Sequence, residues 1–233
     1  MSKRKVLLIG ATGGIGNATL EKLYEEGVYE IFATSTRKEA LDEIAAKFPE
    51  IHPILFDHTA RTEKELIEQV GAGIDSVVIA SGITSDALCM RLSDDLWDKT
   101  IEVNLSSTFR ILKHAFRKMN TGSSIVLVSS VVARMGNAGQ VAYAASKGGL
   151  EAMAKTLARE WAVKDITVNS IAPGFVATKM TQDFDHEALA KHIPSGRFGK
   201  PEEMAAAISY LIGPHARYMT GHTLELNGGM WMV

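Results

Sequence analysis

Short unbroken apolar runs recur along this chain. Val6-Leu7-Leu8-Ile9 is the first, and it is followed by Ile31 to Ala33, Ile54 to Phe56, Val77 to Ala80, Ile125 to Ser129, Thr167 to Ile171 and Thr223 to Leu226. Continuous aliphatic and β-branched runs, rather than alternating ones, suit strands covered on both faces. Between them lie longer mixed stretches such as Asn17-Ala18-Thr19-Leu20-Glu21-Lys22-Leu23, which read as helix. The rhythm predicts an α/β fold, with a doubly wound parallel β-sheet and helices on both faces. No linker, low-complexity tract or repeat interrupts it, so residues 1–233 are expected to form a single domain. In such sheets, ligands collect at the carboxyl ends of the strands.

Two segments place chemistry at those ends. After the first strand comes Gly10-Ala11-Thr12-Gly13-Gly14-Ile15-Gly16, and a helix follows it. Glycines let the backbone approach a pyrophosphate, and the helix N-terminus offers unpaired N–H groups and the positive end of its dipole. The glycines of this turn, at 10, 14 and 16, are spaced G-x3-G-x-G, and strand, turn and helix together point to a dinucleotide. Further on, Ser130 follows an expected strand end, with Tyr143 and Lys147 spaced Ser-x12-Tyr-x3-Lys. Tyr143 and Lys147, four apart on a helix, share one face. A free phenol has a pKa of about 10, and a nearby ammonium lowers it. The pair therefore suits proton transfer to or from an oxygen. Alone, Tyr-x3-Lys is also what a helix exposes by chance; the context gives it weight.

These segments resemble those of the short-chain dehydrogenase/reductase family. Within that family, the chain is most similar to the bacterial 3-oxoacyl-[acyl-carrier-protein] reductases. The likeness runs from the glycine turn through Gly82-Ile83-Thr84, Asn104-Leu105-Ser106-Ser107-Thr108-Phe109, Ser129-Ser130-Val131-Val132 and Met135-Gly136-Asn137-Ala138-Gly139-Gln140. It continues through Tyr143 to Lys147 and Pro173-Gly174-Phe175-Val176-Ala177-Thr178 to the ending Asn227-Gly228-Gly229-Met230-Trp231-Met232-Val233. The resemblance implies a Rossmann-like domain and a catalytic tetrad of Asn104, Ser130, Tyr143 and Lys147. Tyr143 would donate the proton, and Ser130 would hold the substrate carbonyl. Lys147 would lower the Tyr143 pKa and hold the nicotinamide ribose. Asn104 would mark a helix distortion and organise a water relay to Lys147. Ser130 could instead cap local backbone, as could its neighbour Ser129. Gln140 would border the substrate. These duties need hydroxyl, phenol and ammonium groups and no metal.

The implied cofactor-binding set is Gly10, Thr12, Gly13, Gly14, Ile15, Gly16, Ser35, Thr36, Arg37, Asp57, Ala80, Ser81, Gly82, Tyr143, Lys147, Pro173, Gly174, Val176 and Thr178. Asp57 would meet the adenine amino group, or simply cap a strand end; Thr178 would hold the carboxamide. An acidic residue closing the second strand would select NAD, but here the strand ends Ala33-Thr34-Ser35-Thr36-Arg37-Lys38, and Glu30 lies at its start. NADPH is therefore the expected cofactor. Two departures from the family stand out. Gly13 replaces a frequent basic residue, which leaves phosphate recognition to Ser35, Thr36 and Arg37. Ile79-Ala80-Ser81-Gly82 stands where the family has Asn-Asn-Ala-Gly, which weakens a central hydrogen-bond network.

Composition excludes several other classes. Of 233 residues, 46% are hydrophobic and 22% charged, enough for a sizeable core and unlike a disordered chain. A net charge of −2 speaks against a strongly basic nucleic-acid binder. A single cysteine, Cys89, allows no internal disulfide, and no signal peptide or membrane span is visible, so a cytoplasmic enzyme is expected. The resemblance implies an acyl-carrier protein bearing a 3-oxoacyl thioester as partner, with Arg134, Lys164 and Arg197 as possible docking charges. Each also reads as an ordinary surface residue. Ser123-Ser124 stands where relatives carry a basic docking residue, and Lys164 where they often carry Arg. Residues 181–199 would form a mobile helical cover over the substrate, or an ordinary surface helix pair. A homotetramer is implied, with the apolar ending at a subunit contact or packed on its own domain. The alternatives are a reductase of acetoacetyl-CoA or another small ketone, and a non-catalytic NADPH-binding sensor or scaffold.

Overall fold

A computed structural model describes residues 3–232; Val233, the last residue of the apolar ending, lies outside them. Seven parallel strands form one sheet in the order β3-β2-β1-β4-β5-β6-β7. They are β1 (Arg4–Ile9), β2 (Tyr29–Ser35), β3 (His52–Leu55), β4 (Ile74–Ile79), β5 (Met119–Val128), β6 (Thr167–Pro173) and β7 (Thr223–Leu226). Each apolar run of the sequence lies on one of these strands or overlaps its end. Pro53 is in β3, an edge strand, where its missing N–H costs no ladder bond.

Among the described residues, nine α-helices connect and cover the strands: α1 (Gly14–Glu26), α2 (Lys38–Lys47), α3 (Glu63–Val70), α4 (Asp94–Ile101), α5 (Ser107–Ala115), α6 (Val132–Met135), α7 (Val141–Trp161), α8 (His186–Ala190) and α9 (Pro201–Ile212). Alternation along β1 divides the core in two. Leu7 and Ile9 pack with Ile67 of α3, Leu112 of α5 and Leu150 and Ala154 of α7. Val6 and Leu8 pack with Leu20 and Leu23 of α1, Ile44 of α2 and Ile208 and Leu211 of α9. These four β1 side chains are fully buried. At about 25 cal/mol per Å² of apolar area, such side chains contribute roughly 1.5–3 kcal/mol each.

The strand order reverses between β1 and β4, so the connections leaving these two strands diverge and open a crevice at their carboxyl ends. Gly10, at the end of β1, has φ +85°, and a Cβ there would lie 2.7 Å from the Ser81 backbone nitrogen. Only glycine allows the two strand ends to approach this closely.

Candidate active site

A cleft of about 710 Å³ occupies the crevice. Its floor is the glycine turn. A Cβ on Gly16 would stand 2.1 Å from the Gly10 carbonyl oxygen, and one on Gly14 2.4 Å from Thr178 Cγ2. These two glycines thus let α1 sit against the turn and the 178 loop sit against α1. The α1 N-cap, Gly13, supplies no side-chain cap, and the first turn carries no acidic residue. Its N–H groups keep their capacity for an anion. Gly10, Thr12, Gly13, Gly14 and Ile15 line the cleft; Gly16 is buried beneath it.

At the β2 end, the cleft is lined by Ser35, Thr36 and Arg37. The Ser35 hydroxyl is committed: it accepts from the Arg37 backbone N–H at 3.1 Å and pairs with Thr12 Oγ1 at 2.8 Å. It shapes this corner, while Thr36 and Arg37 are exposed. Lys99 and Lys179 also line the cleft, and Asp57 is the one carboxylate there among the described residues. Asp57 accepts from the Thr59 N–H and hydroxyl, both at 2.8 Å, and these bonds hold its pKa low. His58 is buried and bonded to Ser107 at 2.9 Å, and burial pushes its pKa down to about 4. On the far wall, the Ala80 N–H is tied to the Ile9 carbonyl at 2.9 Å. The Ser81 hydroxyl is buried with no partner among the described residues.

A smaller cavity of about 120 Å³ adjoins this cleft, shares Ile15, Ala80, Ser81, Gly82, Thr178 and Met180 with it, and is closed by Ser130, Tyr143, Lys147, Pro173, Gly174 and Val176. Ser130 Oγ accepts from the Val132 N–H at 3.2 Å, so the capping reading holds for it. The cap uses a lone pair and leaves the hydroxyl proton free to donate. Lys147 is buried, and its ammonium donates to the Val128 carbonyl at 2.7 Å. Desolvation pushes its pKa down to about 8. Asn104 lies in a π-helical turn, Glu102–Ser106, between α4 and α5. Its carboxamide accepts from the Ile83 N–H (2.8 Å) and donates to the Ile83 carbonyl (2.9 Å) and Ser146 Oγ (3.0 Å). A Cβ on Gly82 would lie 3.1 Å from Lys147 Nζ and 3.5 Å from Asn104 Oδ1, so the two side chains flank that glycine.

One expectation is corrected. Tyr143 does not have a lowered pKa; burial raises it, the Ser130 hydroxyl opposes that, and the charge of Asp86 raises it further. Lys147 Nζ is 5.6 Å from the phenol ring centroid, is itself desolvated and is turned to a carbonyl, so it does not offset the cost of burying a phenolate.

Residues 10–231 match the family model described as enoyl-(acyl carrier protein) reductase. The 3-oxoacyl-[acyl-carrier-protein] reductase FabG of Vibrio harveyi is 40% identical over 97% of both chains. That of Rickettsia bellii is 37% identical over 100% of this chain and 99% of its own. Among solved structures, a short-chain dehydrogenase/reductase from Brucella melitensis superposes with a TM-score of 0.93 at 33% identity, covering 100% of this chain and 98% of that one. The chain belongs to the short-chain dehydrogenase/reductase family. BdcA, solved in complex with NADPH, gives a TM-score of 0.91 at 28% identity over 98% of this chain and 94% of its own.

The remaining sequence expectations for this short-chain dehydrogenase/reductase have mixed outcomes. Gln140 lines neither cavity; its amide donates to the Asp86 carboxylate at 3.1 and 3.2 Å, and Asp86 in turn holds the Thr84 hydroxyl. Asp86 had no motif to announce it. The three docking candidates are all engaged within the chain. Arg134 pairs with Glu151 at 2.8 Å, Arg197 forms a two-pronged pair with Glu203, and Lys164 donates to the Phe116 and Met119 carbonyls. Residues 181–199 hold one short helix, α8, rather than a pair. Phe175 packs on Phe184 and Phe198, and His186 stacks on Phe198. In the apolar ending, Trp231 and Met232 are exposed. Among the described residues, no helix is long and apolar enough to cross a membrane, and no group of His, Cys, Asp and Glu is placed to hold a metal.

Proposed function

We propose that this chain is an NADPH-dependent reductase that converts 3-oxoacyl-[acyl-carrier-protein] to 3-hydroxyacyl-[acyl-carrier-protein] in fatty-acid biosynthesis. The observation that carries the reading is the meeting of Ser130, Tyr143 and Lys147 in one cavity joined to a dinucleotide-sized cleft. The named relatives that reduce 3-oxoacyl groups match over nearly their whole length, which supports the substrate class. The family-model description names an enoyl group instead. Two hydroxyl donors at one point, Ser130 and the protonated phenol of Tyr143, suit a carbonyl oxygen better than a carbon–carbon double bond.

The residues present fit the cofactor. The glycine turn and the uncapped α1 N-terminus would hold the pyrophosphate, Lys147 the ribose hydroxyls, and Thr36, Arg37 and Lys179 the 2′-phosphate end. When bound, NADPH supplies the hydride. Ser130 fixes the carbonyl oxygen, and Tyr143 gives it a proton as negative charge develops. Reading the enzyme as cytoplasmic and homotetrameric is part of the same proposal. The exposed Trp231 and Met232 support a subunit contact.

The test is NADPH consumption with acetoacetyl-carrier protein beside acetoacetyl-CoA at matched concentrations, with NADH as control. The carrier thioester with NADPH should be turned over with the higher kcat/KM, and Tyr143→Phe should abolish turnover while keeping NADPH binding. Equal or better use of the CoA ester would move the enzyme to CoA or small-ketone chemistry. No turnover on either would revive a non-catalytic binder.

A further inference from the structure

A charged cluster built on one buried carboxylate joins the turn that carries Ser130 to the helix that carries Tyr143 and Lys147. Its centre is Glu151, one helical turn beyond Lys147 on α7 and 4% exposed. Glu151 Oε1 accepts from the Ser129 hydroxyl at 2.8 Å, and Ser129 Oγ is also 3.2 Å from the Lys147 carbonyl oxygen. The other carboxylate oxygen lies 2.8 Å from Arg134 Nε, an ion pair without hydrogen-bond geometry, and that Nε has no hydrogen-bond partner among the described residues. Glu225 of β7 brings a second carboxylate to 3.7 Å from the same Nε, and its Oε1 has no hydrogen-bond partner among the described residues.

Ser129 immediately precedes Ser130, and Arg134 sits in α6, whose first N–H, from Val132, is the donor to Ser130 Oγ. One carboxylate on α7 therefore meets the Ser130 turn on both sides, by a hydrogen bond from Ser129 and by charge attraction to Arg134. Burying a carboxylate costs several kcal/mol, and an apolar residue of similar size would often serve stability as well or better. Leu150 and Ala154, beside it on α7, are packed in the apolar core. The charge thus has little to recommend it as packing and much as a fixed link.

We infer that Glu151 is a positioning residue for the reaction, holding the Ser130 hydroxyl in register with Tyr143 and Lys147 through Ser129 and Arg134. The inference rests on the reductase reading of the site. Misplacing a reacting group by about 1 Å costs on the order of a hundredfold in rate, so a partial loss of the link should cost about tenfold.

The experiment measures kcat, the Kd for NADPH and the melting temperature for Glu151→Leu, Glu151→Gln and Ser129→Ala, with Ser130→Ala as reference. Glu151→Leu should lower kcat about tenfold while leaving the NADPH Kd within about twofold, because the cofactor cleft does not include Glu151. Glu151→Gln keeps an acceptor for Ser129 and should recover part of that loss. Ser129→Ala should lower kcat in the same direction and still fold if the larger change does not. A native kcat in Glu151→Leu or Ser129→Ala overturns the inference. So does a parallel fall of kcat, NADPH affinity and melting temperature, which marks a purely structural role. If Ser130→Ala itself turns over normally, the reading of the site fails instead.

Discussion

Raising the pH from about 7 to about 9.5 should lower the activity of this protein and raise its stability, through one group. Lys147 is buried, and desolvation pushes its pKa from the ordinary 10.5 down to about 8. In the cofactor-free enzyme, deprotonation above that value removes the cation that would hold the ribose hydroxyls. The kcat/KM for NADPH should therefore fall with a midpoint near 8 and be about tenfold down one pH unit above it. Stability moves the other way. The folded pKa lies below the unfolded one, so between about 8 and 10.5 the unfolded chain holds a proton that the folded protein lacks. Stability then rises with pH by about 1.4 kcal/mol per unit, roughly 3 kcal/mol across the window. Tyr29 and Tyr143, whose pKa values burial raises, act in the opposite sense near the top, so readings stop at about pH 9.5, below the ordinary phenol value. The assays are a pH profile of initial rates and urea unfolding of cofactor-free protein, each beside a variant. Lys147→Arg cannot deprotonate and should lose the alkaline limb of whatever activity remains. Lys147→Met should lose the stability slope. A limb above about pH 10 in the native protein, or a stability slope that survives in Lys147→Met, would refute the reasoning.

Two further predictions concern the cofactor cleft. Gly16→Ala places a Cβ 2.1 Å from the Gly10 carbonyl oxygen, so the turn and α1 must separate by about an ångström. The gain of up to about 1 kcal/mol in helix propensity does not offset overpacking of roughly 1–3 kcal/mol. NADPH affinity should fall at least about tenfold by fluorescence titration; native affinity would show that the turn does not bind the pyrophosphate. Arg37→Ala and Lys179→Ala should each weaken NADPH about tenfold, near 1.4 kcal/mol, and leave NADH within about twofold. Equal losses for both cofactors would place these cations on the pyrophosphate instead.

The fold was legible because its signals are local. A strand buried on both faces carries an unbroken apolar run, as β1, β4 and β5 do, while the short edge strands β3 and β7 are partly exposed and show only brief ones. The glycine turn and the Ser130, Tyr143 and Lys147 spacing were legible because close backbone approach and helix periodicity restrict which residues can stand where. What escaped is long-range. Lys179 reaches the cleft from the loop after β6, and Lys99 from α4. Asp86, whose charge acts on Tyr143, is held by Gln140 at the start of α7, 54 residues further along the chain. Arg134 reads in the sequence as a docking charge or an ordinary surface residue because its partners, Glu151 and Glu225, lie on other elements. Charge partnership is set by packing and leaves no spacing in the sequence.

The same packing explains why the sign expected for Tyr143 fails, and it bears on the direction of catalysis. Burial acts on both members of the pair: it keeps the phenol neutral and makes the lysine ammonium harder to hold. Asp86 adds to the first effect, and the Ser130 hydroxyl opposes it without prevailing. A phenol with a raised pKa is a weaker acid, yet it is fully protonated at neutral pH and stands loaded as a donor. The base it meets in reduction is an incipient alkoxide, which is far stronger than a phenolate, so acid strength is not what the step lacks. In the oxidative direction, the same residue would have to be deprotonated first, and burial and Asp86 both oppose that. In the proposed reaction, the surroundings of Tyr143 therefore keep the phenol in the protonated form that reduction needs at neutral pH.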